Sequence, residues 1–532
     1  MIAAAVVALA AALRLVALAR TPPDPYYDAA VRSMGTSWHA FLFGAYEPGA
    51  SVAIDKPPVD LWLQVASTKL LGFSTGALLL PSALAGVGAV AGLFLLLRRL
   101  FGRSEAVAGA AALAVLPLSV VTSRSDTMDT VAAALAVGAA ILAVRDGRWA
   151  LAGAGALIGL AFEVKPFQGL VPVPALVVLH LAASEQPWRE RSARLAIAGG
   201  VAVAVGLSWL VVVTAAPARL QPWALGSTDG SAAQAMFVYD GLSRIDKPIA
   251  RHPQVLDAAL LALRPDPPGP ARLVGGGAQL TLRLGSELVP ALLAGGVATA
   301  LVLAGRRRRT TMPDHDERLR RAGALGLGAW LLTGLVLFSA MRGLQARYLE
   351  AFAPAVAAVL GVGVVTIVRR TGARPWLAAV AVGVLLAVPL EQSIASVRAG
   401  ASDSERVGAM PAGEVTALAS YLARRDRGAR YEAASATAVK AAALIVHDAR
   451  PMLLLQAFAH QPLVSRSRFE GLVRRGEVRY LLSASGCTGG ACGPAAAWAM
   501  RTGRDVTHAA GLPGHGVLYA LRAPPGGSSR PS

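Results

Sequence analysis

The sequence predicts a polytopic α-helical membrane protein of about eleven spans, carrying a small C-terminal extracytoplasmic α/β domain. Three observations lead there. Of 532 residues, 55% are hydrophobic and 16% charged, and the mean hydropathy is +0.52, whereas soluble chains are roughly 45–50% apolar. Apolar runs of about 15–22 residues recur between short charged segments, and they are continuous rather than alternating, which selects helices over barrel strands. From about residue 393 those runs shorten, and strand-like and helix-like pieces alternate instead.

The candidate spans lie near 2–19, 75–97, 106–121, 130–144, 149–162, 170–183, 195–216, 285–304, 322–340, 350–368 and 376–392. The first has no small-residue cleavage site after it, so it reads as a retained helix rather than a signal peptide. The net charge of +19 would suggest nucleic acid in a soluble protein. Here the arginines sit at the ends of apolar runs, as the positive-inside rule requires, and nucleic-acid binding is excluded as a reading. Arg98, Arg99 and Arg103, then Arg145 and Arg148, then Arg189, Arg191 and Arg194, then Arg306 to Arg309, then Arg369, Arg370 and Arg374 fall on alternate loops. With those loops cytoplasmic, segments 20–74, 122–129, 163–169, 217–284 and 341–349 face outward, together with everything after about 393. The division expected is a transmembrane catalytic domain over 1–392, with outer loops 20–74 and 217–284, then an α/β domain over 393–522 and a disordered tail over 523–532. In the α/β domain ARYEAAS, PMLLLQA, VRYLLSA and GVLYALR read as strands of a largely parallel sheet. ATAVKAAALIVHD, SRFEGLVRRG and GPAAAWAMRTG read as helices.

The outward segments hold the chemistry. Asp24–Pro25–Tyr26–Tyr27–Asp28 follows the first span directly; it suits a headgroup belt, or a carboxylate base acting on an acceptor hydroxyl. Asp55–Lys56–Pro57–Pro58 starts a helix with two prolines, holding the Lys56 ammonium near a helix N-terminus, a place that suits phosphate; a snorkelling lysine is the plainer reading. Ser123 to Asp129 sets Arg124 as a phosphate ligand and places Asp126 and Asp129 three apart, where they share a face, although Ser125 and Asp126 also suit capping. Glu163–Val164–Lys165–Pro166 offers Lys165 to an anion or to Glu163. Tyr239–Asp240–Gly241–Leu242–Ser243–Arg244 and the run Arg342, Gln345, Arg347, Tyr348 complete the set. Lys56, Arg124, Lys165, Arg244 and Arg347 thus form a candidate phosphate cradle on one side of the membrane. Cys487 and Cys492 have four residues between them, too many for a redox CxxC, and are too few ligands for zinc, so a structural disulfide is expected. No HExxH or paired histidine spacing argues for a metal.

These motifs together resemble the GT-C superfamily of polytopic glycosyltransferases. The resemblance is nearest to the branch that includes protein O-mannosyltransferases and the lipid A aminoarabinose transferase (glycosyltransferase family 39-like), and to its mannosyltransferase-like members with a soluble C-terminal domain. It rests on YYDAAVRSMGTSWHAFLFG, VAIDKPPVDLW, SRSDTMDTVAAAL, GLAFEVKPFQ, YDGLSR and FEGLVRRGEVRYLL. It implies the GT-C fold and a polyprenyl-phosphate sugar donor, used on the outer face of the cytoplasmic membrane with a lipid, glycan or protein as acceptor. It implies a base at or beside Asp24, donor phosphate at Lys56, a second-loop acid at Asp129 with Asp126 adjacent, and Lys165 after the fifth span. Two departures stand out. Relatives often carry Asp-Glu where this chain has Asp24–Pro25, which leaves Asp24 and Asp28 competing as base. Close relatives also show a His-Pro-Tyr-Tyr-like segment where this chain has Gln345–Ala346–Arg347–Tyr348.

The reading is an inverting glycosyltransferase. Asp24 or Asp28 takes the acceptor proton. Lys56, Arg124, Lys165, Arg244 and Arg347 hold the leaving phosphate, while Tyr27, Asp55, Asp126, Asp129, Tyr239 and Tyr348 position sugar or acceptor. The sequence specifies no cofactor, and Asp24, Asp126 and Asp129 are a candidate set for a divalent cation. A flippase of lipid-linked sugar is the main rival; it would need polar residues at the bilayer midplane, whereas these charges collect at the outer edge. A degenerate, scaffolding relative is the second, against which the retained carboxylates speak.

Overall fold

The computed structural model describes residues 1–521 apart from 146, 247–266, 275–285, 306–314, 405, 426 and 484–491. Each apolar run becomes helix. The first twelve helices are α1 (Ile2–Leu15), α2 (Pro25–Met34), α3 (Trp38–Phe43), α4 (Val59–Leu71), α5 (Thr75–Leu100), α6 (Arg103–Val115), α7 (Pro117–Ser123), α8 (Asp129–Ala143), α9 (Arg148–Val164), α10 (Val173–Ala183), α11 (Trp188–Gly206) and α12 (Ser208–Ala215). Later come Ser286–Gly305, His315–Ala340, Ala353–Arg370 and Trp376–Arg398. By length and composition, five helices among the described residues can cross a membrane, or seven when each bent pair counts as one span. The bent pairs are α6 with α7, at 60°, and α11 with α12, at 41°. Hydropathy reads each pair as one run, but Pro117 cannot supply the N–H that would continue α6.

The helices meet through small residues. A Cβ on Gly155 would lie 2.1 Å from the Ala198 carbonyl oxygen of α11, and one on Gly361 would lie 2.2 Å from the Gly109 nitrogen of α6. Only glycine allows backbones this close, and close backbones supply the dispersion contacts that hold helices together in lipid. α1 lies along α5, α5 along α8, α8 along α9, and α9 along α11. α6 packs on Ala353–Arg370, which also covers Ser286–Gly305.

Two arginines tie α1 into this bundle. Arg14, fully buried, donates to the Ala114 and Leu113 carbonyls at 3.0 and 3.2 Å, which the α6–α7 break leaves without helical partners. It also reaches the Ser119 and Ser123 hydroxyls, and Ser119 donates in turn to Glu350 at 2.9 Å. Arg124 returns the arrangement: its guanidinium donates to the carbonyls of Leu13, Arg14, Val16 and Ala17 at 3.3, 3.1, 2.8 and 3.3 Å. Arg14 thereby closes the C-terminal end of α6, and Arg124 that of α1.

The loop after α1 folds into α2, α3 and a short strand β1 (Val52–Ala53), which pairs in parallel with β2 (Trp223–Ala224) from the loop after α12. After Trp376–Arg398 the chain builds a five-stranded sheet from β3 (Ala434–Ser435), β4 (Leu453–Leu454), β5 (Tyr480–Leu482), β6 (Arg504–Asp505) and β7 (Leu518–Ala520), in the order β4-β3-β5-β7-β6. Strands fall inside all four stretches read as strand, and helices Ala438–Asp448, Arg466–Arg474 and Gly493–Thr502 inside or across the three read as helix. The sheet is mixed rather than largely parallel: β3 pairs in parallel with β4 and β5, but β7 runs antiparallel to β5 and β6. β6 and β7 have no crossover helix between them, so the chain returns antiparallel. Cys492 is disulfide-bonded; Cys487, the arginine run 306–309 and the tail 523–532 lie outside the described residues.

Candidate active site

Asp24 caps α2. Its Oδ1 accepts the Tyr26 amide at 3.2 Å and Pro25 takes the first helical position, so the cap fixes where the Tyr-Tyr-Asp face points. One helical turn on, Asp28 lies within hydrogen-bonding reach of Asp126, from the α7–α8 turn. Both are buried, at 3% and 2% exposure. Burial, with the Asp24 charge adding to it, pushes the Asp28 carboxyl up to about 7 against the Asp126 hydrogen bond, which lowers it. Burial and then the Asp28 charge push Asp126 well above the carboxylate range. Two carboxyls in this position share a proton near neutrality.

Beside that pair runs a chain of alternating charge. Lys56 donates to the Tyr27 hydroxyl at 3.2 Å and pairs with Asp55 at 3.5 Å and Asp240 at 3.4 Å. Asp240 pairs with Arg244 at 3.0 Å, whose guanidinium lies 4.6 Å from the centroid of the Tyr239 ring. Burial alone would raise Asp240, but Lys56 and Arg244 together hold it below its usual range. Asp55 accepts the Tyr26 hydroxyl at 3.3 Å. Lys165, at the end of α9, pairs with Asp129 at 3.1 Å and lies 5.0 Å from the centroid of the Tyr348 ring. Burial lowers Lys165 to about 8. Arg347 lies 6.0 Å from the same Tyr348 ring and donates to the Asp403 carbonyl at 3.1 Å.

The structure therefore brings together Asp24, Tyr27, Asp28, Asp55, Lys56, Asp126, Asp129, Lys165, Tyr239, Arg244, Arg347 and Tyr348, in sets joined by these pairs and close enough for Lys56, Arg347 and Asp240 to act on Lys165 through their charge. It gives three of the sequence expectations another place. Arg124 is not part of the cradle, because its guanidinium closes the carbonyl end of α1. Glu163 does not pair with Lys165: its Oε1 accepts the Trp209 amide at 2.8 Å and the Ser208 hydroxyl at 3.0 Å, capping α12 at the bend. Asp24, Asp126 and Asp129 do not converge on a cation, since Asp126 faces Asp28 and Asp129 faces Lys165. Among the described residues no three His, Cys, Asp or Glu side chains are grouped to hold a metal ion.

Several site residues carry little sequence signal. Asp60, one turn into α4, is buried and accepts Gln64 Nε2 at 2.9 Å. Burial, with a contribution from Asp129, pushes it up to about 7, against the Gln64 hydrogen bond and the Lys165 charge. Glu350 is raised to about 7 by burial as well. In VDLWLQ an aspartate and a glutamine four apart look like the wet face of an amphipathic helix, and only the fold turns that face inward.

Comparison with known proteins bears on these groups. Residues 55–210 match the family model described as "Dolichyl-phosphate-mannose-protein mannosyltransferase", which takes in Asp55, Lys56, Asp126, Asp129 and Lys165. Residues 418–502 match that of "Putative mannosyltransferase YkcB-like, C-terminal". Over 227 residues the chain is 34% identical to a Bacillus subtilis protein described as "Putative mannosyltransferase YycA", covering 42% of this chain. The match spans 33% of that relative's length, so about a third of the curated relative is represented. The fold is similar to that of ArnT from Cupriavidus metallidurans bound to undecaprenyl phosphate, with a TM-score of 0.60 at 17% identity over 91% of this chain and 93% of that one. It is also similar to the oligosaccharyltransferase AglB of Archaeoglobus fulgidus in complex with an inhibitory peptide and a dolichol-phosphate, with a TM-score of 0.55 at 12% identity over 95% and 72% of the chains.

Proposed function

We propose that this chain, a mannosyltransferase-like integral membrane protein of the GT-C superfamily, is a glycosyltransferase that moves a sugar from a polyprenyl-phosphate donor to an acceptor hydroxyl. The observation that carries the reading is the set of Lys56, Lys165, Arg244 and Arg347, each beside a tyrosine ring, with Lys56 on Asp55 and Asp240, Lys165 on Asp129 and Arg244 on Asp240, next to the Asp24–Asp28–Asp126 carboxyls. Cations fixed in a water-poor site stabilise charge that grows on a leaving phosphate more strongly than mobile ones, because they need no reorganisation during the reaction. A carboxylate at the same place can take the proton of the attacking hydroxyl.

In this mechanism Lys56 and Arg244, bridged by Asp240, hold one side of the phosphate, and Lys165 and Arg347, flanking Tyr348, the other. Asp24 or Asp28 accepts the acceptor proton as the sugar–phosphate bond breaks. Asp126 tunes Asp28 through the shared hydrogen bond. In-line attack with the base opposite the leaving group inverts the anomeric centre. The arginine clusters on alternate loops support a site on the outer face of the cytoplasmic membrane. The bilayer then delivers the donor from the side.

Transfer in membrane vesicles from labelled polyprenyl-phosphate sugars tests this. Wild type transfers label, Lys56→Gln raises the donor KM, and one of Asp24→Asn and Asp28→Asn lowers kcat by at least ~100-fold, as loss of a general base does. Equal transfer by wild type and both asparagine variants removes the base assignment.

A further inference from the structure

The part of the chain after the last long helix does more than follow the bundle. Its hairpin between Gln456 and Pro462, closed by the bridge of those two residues and by Ala457 donating to the Gln461 carbonyl at 2.8 Å, carries Phe458 into the site. The ring sits 5.7 Å from that of Tyr26 and 5.9 Å, stacked, from that of Tyr239. Those two tyrosines end the charge chain described above. Tyr26 donates to Asp55, Asp55 pairs with Lys56, Lys56 with Asp240, Asp240 with Arg244, and Arg244 lies over Tyr239. Phe458 joins Tyr239 back to Tyr26. The seven side chains form a closed ring, and Phe458 is its one member from the C-terminal sheet region.

The placement of that ring is fixed by contacts on several sides. Tyr46, after α3, donates to the Ala438 carbonyl at 2.8 Å. Glu47 accepts a backbone hydrogen bond from Met452. The connecting segment is held as well: Ser125 Oγ accepts the Asp403 amide at 2.7 Å, and Thr122 donates to the Asp403 carboxylate at 3.0 Å. The helix Ala438–Asp448 lies against α2. A hairpin anchored this way cannot shift its tip without pulling on α2 or on the α7–α8 turn.

We infer that Phe458 is a positioning residue for donor phosphate: by wedging Tyr26 and Tyr239 it closes the ring that aims Lys56 and Arg244, so the C-terminal region completes the binding site. The inference rests on the reading of this site as one that holds a polyprenyl phosphate. An ordinary core phenylalanine would stabilise the fold and leave ligand affinity unchanged. Truncating the wedge frees both tyrosines, and with them the carboxylates that hold the two cations.

The test is binding of undecaprenyl phosphate to the purified full chain in detergent, with thermal unfolding measured alongside. Phe458→Ala weakens binding by roughly fivefold to tenfold, the scale of lost aromatic contacts. Phe458→Tyr, which keeps the ring, binds within about twofold of wild type. In a background carrying both Lys56→Gln and Arg244→Gln, Phe458→Ala adds less than about twofold, because its effect runs through those two cations. Should Phe458→Ala not fold, Phe458→Leu, which keeps the bulk without the ring, takes its place. A variant with a lowered midpoint and wild-type affinity overturns the inference, as does full additivity with the Lys56→Gln, Arg244→Gln pair. Wild type that binds no undecaprenyl phosphate removes the reading of the site itself, and the inference with it.

Discussion

Asp60→Asn should make this protein more stable at alkaline pH and leave its acid stability unchanged. Asp60 is buried in α4, with Oδ2 accepting Gln64 and Oδ1 without a partner. Its folded-state value of about 7, raised by burial above the ordinary 3.8, means the fold prefers the protonated acid. Below about pH 4 both folded and unfolded chains carry the proton, and the group costs nothing. Between about 4 and 7 the unfolded chain releases its proton while the folded chain keeps it, so stability falls as pH rises; above 7 the full difference stands. That difference is 7 minus 3.8, or 3.2 pH units, and at 1.36 kcal/mol per unit it comes to about 4 kcal/mol. Asparagine has the same shape, carries no charge, and can still accept Gln64. The assay is the unfolding midpoint of the purified protein in detergent from pH 5 to 9, wild type beside variant. The two curves should separate progressively above pH 5 and run parallel above about 7.5, the variant several degrees higher. A difference that is flat across the range, or a variant less stable at pH 8, refutes the argument.

Lys165 should lose its charge as pH passes about 8, so donor KM rises above that pH; Lys165→Arg, which stays charged, should flatten the profile in a vesicle transfer assay. Arg124→Gln removes guanidinium bonds to four carbonyls of α1 and its end and should cost on the order of 2–4 kcal/mol in thermal unfolding, with undecaprenyl phosphate affinity unchanged, in contrast to Lys56→Gln. Gly361→Ala drives a methyl toward the Gly109 backbone and should lower the unfolding midpoint more than Gly383→Ala, where the added carbon meets nothing within 4 Å.

The helical frame was legible because continuous apolar runs have one stable conformation in lipid. The breaks inside those runs were not, since Leu207 is as apolar as its neighbours and a proline such as Pro117 does not by itself mark a break, Pro81 and Pro389 lying inside continuous helices. β6 escaped notice because Arg504–Asp505 has no β pattern and lies exposed, held by its pairing with β7. In the site, the residue types and their shared side of the chain could be read from motifs, and the pairings could not. Lys165 is two residues from Glu163 in sequence, yet a lysine at the end of α9 and a carboxylate at its last turn point in different directions, one to Asp129 and the other to α12. Asp60 and Phe458 were hidden for opposite reasons: the first resembles a solvated helix position, the second an ordinary core residue of an α/β sheet.

The contrast between Lys56 and Arg124 shows what decides the use of a cation here. Both lie in a turn that leads into a helix and both are buried, at 5% and 0% exposure. A buried charge is tolerable only when something offsets its lost hydration. For Arg124 the offset is a helix end: planar, multiply donating, it suits several carbonyls at once. An ammonium has no such fork, and Lys56 is offset by two carboxylates and a tyrosine hydroxyl instead. Carbonyls of a helix end cannot leave, so Arg124 is fixed in structure. Carboxylates can be outcompeted as the singly charged phosphodiester of the donor becomes the more highly charged monoester of the leaving lipid, so Lys56 can exchange one anion for another with little movement. On this argument Asp55 and Asp240 are part of the binding device: they hold Lys56 and Arg244 in place, and they set how strong an anion must be to displace them.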